Sequence, residues 1–274
     1  MKLLTLNLHG WLEVHQIPKI YELAQFIAQQ QVDLVALQEV NQFIHSPIVS
    51  QPAGYLGGDG RPVRQDNLAL ILNHFLAELT GAPFHWGWAV SHLGFDRYDE
   101  GVALLSRCPL ARVESIDLSP AYGYGDVERR VALAAQLEEG PWFASTHMSW
   151  WQLEEKPLFE NEFRLLDEKL RQLAEGQPIL LAGDFNNAAQ VEGEGYDLAA
   201  SLGWLDTRNL AEQVEGEATV HKAIHGWDQV TQALRIDLVL TDQPLAVASH
   251  QVIFPDDQPT ALSDHSGLLL DFKL

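Results

Sequence analysis

The residues of this chain best able to do chemistry gather where apolar runs stop. Asn7, Glu39, His147 and the pair Asp184/Asn186 each close such a run, Asp264-His265 opens the last one, and Asp237 sits within Arg235-Ile236-Asp237-Leu238. In open α/β architectures ligands bind where strands end. Asp184 and Asn186 stand two apart, so in extended chain their side chains project to one side. The set is rich in oxygen, from Glu39, Asp184, Asp237, Asp264, Asn7 and Asn186, with imidazole nitrogens from His147 and His265. Hard oxygen ligands that leave positions to water suit Mg²⁺ or Mn²⁺ better than Zn²⁺, which more often takes a His-rich set. The chemistry that fits is phosphoester hydrolysis. A metal balances charge on a phosphate oxygen, a carboxylate orients or deprotonates water, and imidazolium and amide donors hold the trigonal-bipyramidal transition state.

Bringing those residues into one cleft requires strands that end together. Apolar runs at 3–6 and 33–38 bracket residues 17–30, whose apolar positions recur at helical spacing, an opening of the kind that builds parallel sheets. Residues 46–64 hold four glycines and three prolines without periodicity and are expected to form a long loop, ahead of a helical pattern over 67–79 that stops before Gly81. Strands are expected over 84–90, 101–106, 110–118, 131–137 and 142–147, several separated by so few residues that they should be antiparallel neighbours. An amphipathic helix over about 158–173 leads into a strand at 178–183 that ends in Asp184-Phe185-Asn186-Asn187. The stretch 190–227 reads as acidic and loop-rich, and 236–241, 246–254 and 266–272 as closing strands. No linker, repeat or composition break divides the chain. The expectation is therefore one domain over 1–274, a four-layer α/β sandwich of two packed mixed β-sheets flanked by helices.

Composition narrows the partners. With 274 residues, 46% of them hydrophobic, the chain can bury a substantial core, which excludes disorder and coiled coil as descriptions of the whole. The 38 acidic residues against 17 basic ones leave a formal charge of −21, which opposes general attraction to a phosphate backbone. A divalent cation can still dominate the field of one site. Cys108 is the only cysteine, so there is no intrachain disulfide and no cysteine metal centre; a reducing compartment and a cytoplasmic location are expected. No apolar run approaches membrane-spanning length or the form of a signal peptide, so no membrane partner is expected; oligomeric state leaves no mark in the sequence.

Leu6-Asn7, Leu37-Gln38-Glu39-Val40, the run from Glu100 to Arg107, Ser145-Thr146-His147, Gly183-Asp184-Phe185-Asn186, Arg235-Ile236-Asp237 and Ser263-Asp264-His265 resemble, in order and spacing, the motifs of the endonuclease/exonuclease/phosphatase family, whose fold is deoxyribonuclease-like. The likeness runs from Leu3 to Phe272. It implies Glu39 as the principal Mg²⁺ ligand, with Asn7 and Asp264 nearby. It implies Asp184 as the carboxylate that orients or activates water, Asn186 as its supporting amide, His265 polarised by Asp237 as the histidine at the phosphate, and His147 with Glu100 as a second histidine and acid pair. Tyr98-Asp99-Glu100-Gly101, Arg129-Arg130, His147-Met148-Ser149-Trp150-Trp151 and Gly226-Trp227 resemble most the bacterial branch typified by maltose 6′-phosphate phosphatase. Two indoles just beyond a histidine suit stacking on a sugar or a nucleobase, and the negative charge favours the sugar.

Taken singly, most of these features have a bland reading. Asp184 and Asn186 alone would be a turn and helix cap, and Asp264-His265 a turn before a strand. Arg130 reads as a phosphate clamp or as a surface ion pair. Trp150 and Trp151 read as substrate contacts or as packing under the next helix. His9, His15, His45, His92, His221 and His225 read as plain surface or core histidines, and Trp11, Trp86, Trp88 and Trp227 as core or rim. The ordered set points to an enzyme, a Mg²⁺-dependent phosphoric ester hydrolase (Mn²⁺ being the other candidate) acting on a small phosphorylated substrate such as a sugar phosphate by direct attack of water. A nuclease using the same site is the alternative, and a binding protein that has kept the fold without the chemistry is the second.

Overall fold

A computed structural model describes residues 1–138, 140–152, 156–224 and 232–273. In chain order the elements are β1 (Lys2–Asn7), α1 (Gln16–Gln30), β2 (Leu34–Gln38), β3 (Gln42–Phe43), β4 (Tyr55–Gly58), α2 (Leu68–Thr80), β5 (His85–Gly94), β6 (Tyr98–Ser106), β7 (Leu110–Asp117), β8 (Val131–Leu137), β9 (Trp142–His147), α3 (Leu158–Ala174), β10 (Ile179–Asp184), α4 (Gly195–Ser201), β11 (Leu205–Asp206), α5 (Thr207–Leu210), β12 (Ala211–Glu215), β13 (Asp237–Thr241), β14 (Ala246–Ile253) and β15 (Gly267–Lys273). A nine-stranded sheet runs β12-β14-β15-β1-β2-β6-β5-β4, with β3 paired to β6, and a six-stranded sheet runs β11-β13-β10-β9-β8-β7. At the centre of each lies one parallel pair, β1 with β2 and β9 with β10, joined by a crossover helix and flanked by antiparallel strands. Both sheets are mixed.

Alternation along the strands builds the layers and aims the polar residues. In β1, Leu4 and Leu6 face α1 and α2, whereas Leu3 faces the other sheet; in β10, Ile179 and Leu181 face α3, whereas Leu180 and Ala182 point inward. The central core between the sheets joins Leu3, Ala36, Leu104, Phe143, Ala182 and Val239. Because strand side chains repeat every second residue, Asn7, Glu100, His147, Asp184 and Asp237 share the inward parity of those residues. At one end of the sandwich apolar inward residues thus give way to polar ones. Beneath them Gln38 Nε2 donates across the gap to Ser145 Oγ at 3.0 Å, and Ser145 Oγ donates to the Leu37 carbonyl at 2.9 Å.

The strands expected at 131–137 and 142–147 coincide with β8 and β9, and α2 begins where expected because Asn67 caps it, its Oδ1 accepting from the Ala69 and Leu70 amides. Two stretches differ. The expected loop at 46–64 contains β4, an edge strand parallel to β5. Its glycines serve close packing: a Cβ on Gly58 would lie 1.7 Å from the Trp88 carbonyl oxygen. The expected loop at 190–227 holds α4, β11, α5 and β12, all short. Gly226-Trp227 and His225 lie outside the described residues. Among the described residues no helix is long and apolar enough to cross a membrane.

Candidate active site

The polar end of the sandwich opens into a cleft of about 300 Å³. Glu39, Glu100, Arg130, His147, Trp150, Asp184, Asn186, Asp264 and His265 all line it, drawn from both ends of the sequence. Trp151 does not: its ring lies 6.1 Å from that of Phe159, against the core under α3, so it follows its packing reading. Asn7 and Asp237 form the layer behind the lining. Asn7 Nδ2 donates to Glu39 Oε1 at 2.9 Å and to Asp184 Oδ2 at 3.1 Å, while its Oδ1 accepts the His9 amide at 3.0 Å. It bridges two carboxylates and offers them donors; its oxygen is already engaged.

Asp184 is the hub. It is 1% exposed, its Oδ1 accepts the Asn186 amide at 2.8 Å, and its Oδ2 lies 3.6 Å from His147 Nε2 and 3.7 Å from His265 Nε2. Burial, with Asp237 adding to it, raises its pKa to about 7 against the pull of His265 and the two donated hydrogen bonds. His265 Nδ1 meets Asp237 Oδ2 at 3.0 Å. Burial opposes its charge, but Asp237 and Asp184 outweigh that and raise its pKa well above the ordinary histidine value. His147 is the reverse case: burial first, then Arg130 and the His265 charge, hold it well below that value. Asn186 Nδ2 lies 3.0 Å from His147 Nε2 and 3.1 Å from the Met148 carbonyl, so the amide donates to an unprotonated ring nitrogen. Asn186 and Glu39 both take left-handed backbone, at φ 48° and 49°. For glutamate at a strand end this is a strained conformation of the kind that collects at functional sites.

The opposite wall is acidic. Glu39 and Asp264 face the cleft together, and burial, then the Asp264 charge, raises the Glu39 pKa. Two carboxylates facing one small space are a donor set that a hard divalent cation would neutralise. His9 joins them: its Nδ1 meets Glu13 Oε1 at 2.7 Å and lies 3.7 Å from Asp264 Oδ1. Ligand atoms of His9, Glu13 and Asp264 come within 4.8 Å of one another, as do those of Asp184, Asp237 and His265.

His9 and His92 are in the cleft, contrary to their reading as plain surface or core histidines. No hydrogen bond or ion pair among the described residues joins Glu100 to His147. Glu100 instead faces His92, with Nε2 3.4 Å from Oε1, and has a side-chain hydrogen bond with Asn41. A register shift between Val90 and His92 sets His92 directly across from Glu100 on β6, whereas regular alternation from Trp86, Trp88 and Val90 would turn it toward the helices. Bulges leave no mark in the apolar pattern, and His92 lies past the end of the expected strand. His92 Nδ1 faces the Arg129 carbonyl at 3.3 Å, which leaves Nε2 as the bare nitrogen toward Glu100. The shifts agree: burial and Arg130 lower His92 to about 4, and burial and Glu39 raise Glu100 to about 8.

The model of the "Endonuclease/Exonuclease/phosphatase family" matches residues 19–265. Among solved structures, an endonuclease/exonuclease/phosphatase family protein from Leptotrichia buccalis is 30% identical, covers all of both chains and superposes with a TM-score of 0.84. The mannosyl-6-phosphatase Bt3783 of Bacteroides thetaiotaomicron is similar in fold, at 16% identity and a TM-score of 0.66 over all of both chains. So is the Neisseria 3′ phosphatase NExo bound to a product DNA hairpin, at 19% identity and 0.65, again over all of both chains.

Proposed function

The chain belongs to the endonuclease/exonuclease/phosphatase family, whose members are metal-dependent phosphoric ester hydrolases, and on that footing we propose that it is a Mg²⁺-dependent phosphomonoesterase acting on a sugar phosphate. One observation carries the choice of substrate: the cleft is small, about 300 Å³, with acids and histidines at its floor and Trp150, Phe95, Val127 and Leu158 at its rim. A polar floor takes the phosphate, and an apolar, partly aromatic rim takes the face of a compact ring. The net charge of −21 supports a small substrate over a polyanion. That a structural neighbour is a mannosyl-6-phosphatase is in keeping with this reading. The lone Cys108 fits work in the reducing cytoplasm.

In this reading Glu39 and Asp264 hold the Mg²⁺ ion, which when bound neutralises charge on a phosphate oxygen. Asp184 orients the attacking water and takes its proton; a carboxylate poised near neutrality suits that task. The His265 cation, held charged by Asp237, donates to a phosphoryl oxygen, as does the Arg130 guanidinium, while Asn186 supports Asp184 through its backbone amide. His147, neutral, accepts from the Asn186 side-chain amide, whose second N–H goes to the Met148 carbonyl, and this fixes the turn that carries Asp184. The water oxygen bonds to phosphorus as the ester P–O bond breaks, and the bonding pair leaves on the sugar oxygen, which takes a proton from solvent, with no covalent enzyme intermediate.

The test is phosphate release from a panel of sugar phosphates, run beside plasmid nicking on the same preparation, with Mg²⁺ and with chelator. Chelator-sensitive phosphate release with intact plasmid supports the proposal. Nicking without phosphate release, lost in Asp184→Ala, establishes a nuclease instead.

A further inference from the structure

Behind Arg130 lies a buried polar network that the chemistry above leaves unused. Arg130 is 5% exposed, and its Nε donates to Ser149 Oγ at 3.3 Å. Ser149 Oγ donates to Glu162 Oε1 at 2.7 Å, and the Ser149 amide donates to Glu162 Oε2 at 2.9 Å. Ser119 Oγ donates to the same Oε1 at 3.1 Å and accepts the Arg130 amide at 3.2 Å. Glu162 projects from α3 and is 3% exposed.

The directions of these bonds follow from proton count. A hydroxyl has one proton, and Glu162 takes it from both serines. Each serine oxygen is therefore left with lone pairs toward Arg130, one holding Nε and the other the backbone amide. A carboxylate that never touches Arg130 thus sets both acceptors that hold it. The two Nη atoms, by contrast, make no hydrogen bond or ion pair with any described residue, and Arg130 lines the cleft beside His147 and Trp150. A guanidinium anchored at Nε with its fork unspent is set for bidentate contact with an anion.

We propose that Glu162 is a positioning residue which, through Ser119 and Ser149, aims the Arg130 fork at the substrate phosphate. The proposal rests on the cleft being a phosphoester site. The bland alternative is that Glu162 merely ties α3 to the segment after β9. The two differ in coupling: a positioning residue acts only while Arg130 is present, a structural tie acts regardless.

Calorimetric titration of inorganic phosphate into the full chain with Mg²⁺ separates them. Glu162→Gln keeps the volume but places an NH₂ where carboxylate oxygen received hydroxyl protons, so it reverses the serines. It is expected to weaken phosphate binding about 10-fold, as is Ser149→Ala, and neither should weaken it further in the Arg130→Ala background. Equal losses with and without Arg130, or a wild-type chain that binds no phosphate, overturn the proposal. Should Glu162→Gln not fold, Ser149→Ala and Ser119→Ala carry the same cycle. Phosphate binding with the expected coupling, but no hydrolysis of any sugar phosphate, leaves the network standing and removes the proposed activity.

Discussion

The end of β9 and the turn before β15 bring a histidine each to the same oxygen, Asp184 Oδ2, from 3.6 and 3.7 Å. His265 is buried and His147 largely so, yet His147 is held neutral and His265 charged. Burial acts alike on both, so the difference lies in neighbours. Asp237 backs His265 at 3.0 Å, whereas His147 is met by the Asn186 amide and lies in the field of Arg130 and of His265 itself. One carboxylate behind the ring, supplied by β13 packing against β10, makes the distinction between a proton donor and an acceptor.

The comparison breaks most completely if the shared carboxylate goes. Asp184→Asn removes the group that joins both histidines and the proposed acceptor of the water proton; kcat for phosphate release should fall by about 10⁴-fold, with far-UV circular dichroism unchanged. A loss below ten-fold would place the chemistry elsewhere. Asp237→Asn comes next and should convert His265 toward the condition of His147. The expected effect is a fall of about 10²–10³-fold in kcat with KM nearly constant, and a His265 pKa, read by NMR titration, that falls while that of His147 rises as the neighbouring charge is lost.

The cleft's far end sharpens the same contrast through stability. Glu100, facing the bare nitrogen of His92, has its pKa raised to about 8 from 4.5. A raised folded-state pKa means stability that is complete below pH 4.5 and is lost as pH rises through 8. In chelator, Glu100→Gln should therefore match wild type at pH 4 and exceed it by roughly 2–4 kcal/mol at pH 9, measured by urea unfolding. A variant less stable at pH 9 would mean that Glu100 is ionised and paired in the fold. On the acidic wall, Mg²⁺ at about 100 times its dissociation constant should stabilise the chain by roughly 2.7 kcal/mol, raising Tm by several degrees, and Glu39→Gln should remove most of that gain.

What was legible beforehand, and what was not, follows the same physics. The two-residue period of strands and the apolar runs they leave are written in the sequence, so the sandwich and the strand ends at Asn7, His147 and Asp184 could be read from it. Parity then brings these to one end without knowledge of any contact. Glu100 entered only through the family resemblance, as the partner of His147, and its pairing with His92 could not be read because the shift between Val90 and His92 breaks the period. His9 was missed for a related reason. It follows β1 on left-handed backbone, at φ 46°, where no periodicity says which way a side chain turns. The segment 46–64 concealed β4 because glycines that look like loop are there for backbone contact.

The adjacent tryptophans make the finest version of the contrast, two identical side chains one residue apart. Trp150 lines the cleft, and Trp151 packs toward Phe159 at 6.1 Å. If the rim recognises a sugar ring, Trp150→Ala should raise KM about 10-fold with little change in kcat, since stacking lost from ground and transition states alike leaves turnover untouched. Trp151→Ala should leave KM where it was and instead lower stability by roughly 1–3 kcal/mol, the cost of an emptied core margin. Equal KM for wild type and Trp150→Ala across the sugar-phosphate panel would show that the indole does not meet the substrate. The selectivity of the cleft would then have to come from Phe95 and Val127 on the facing rim.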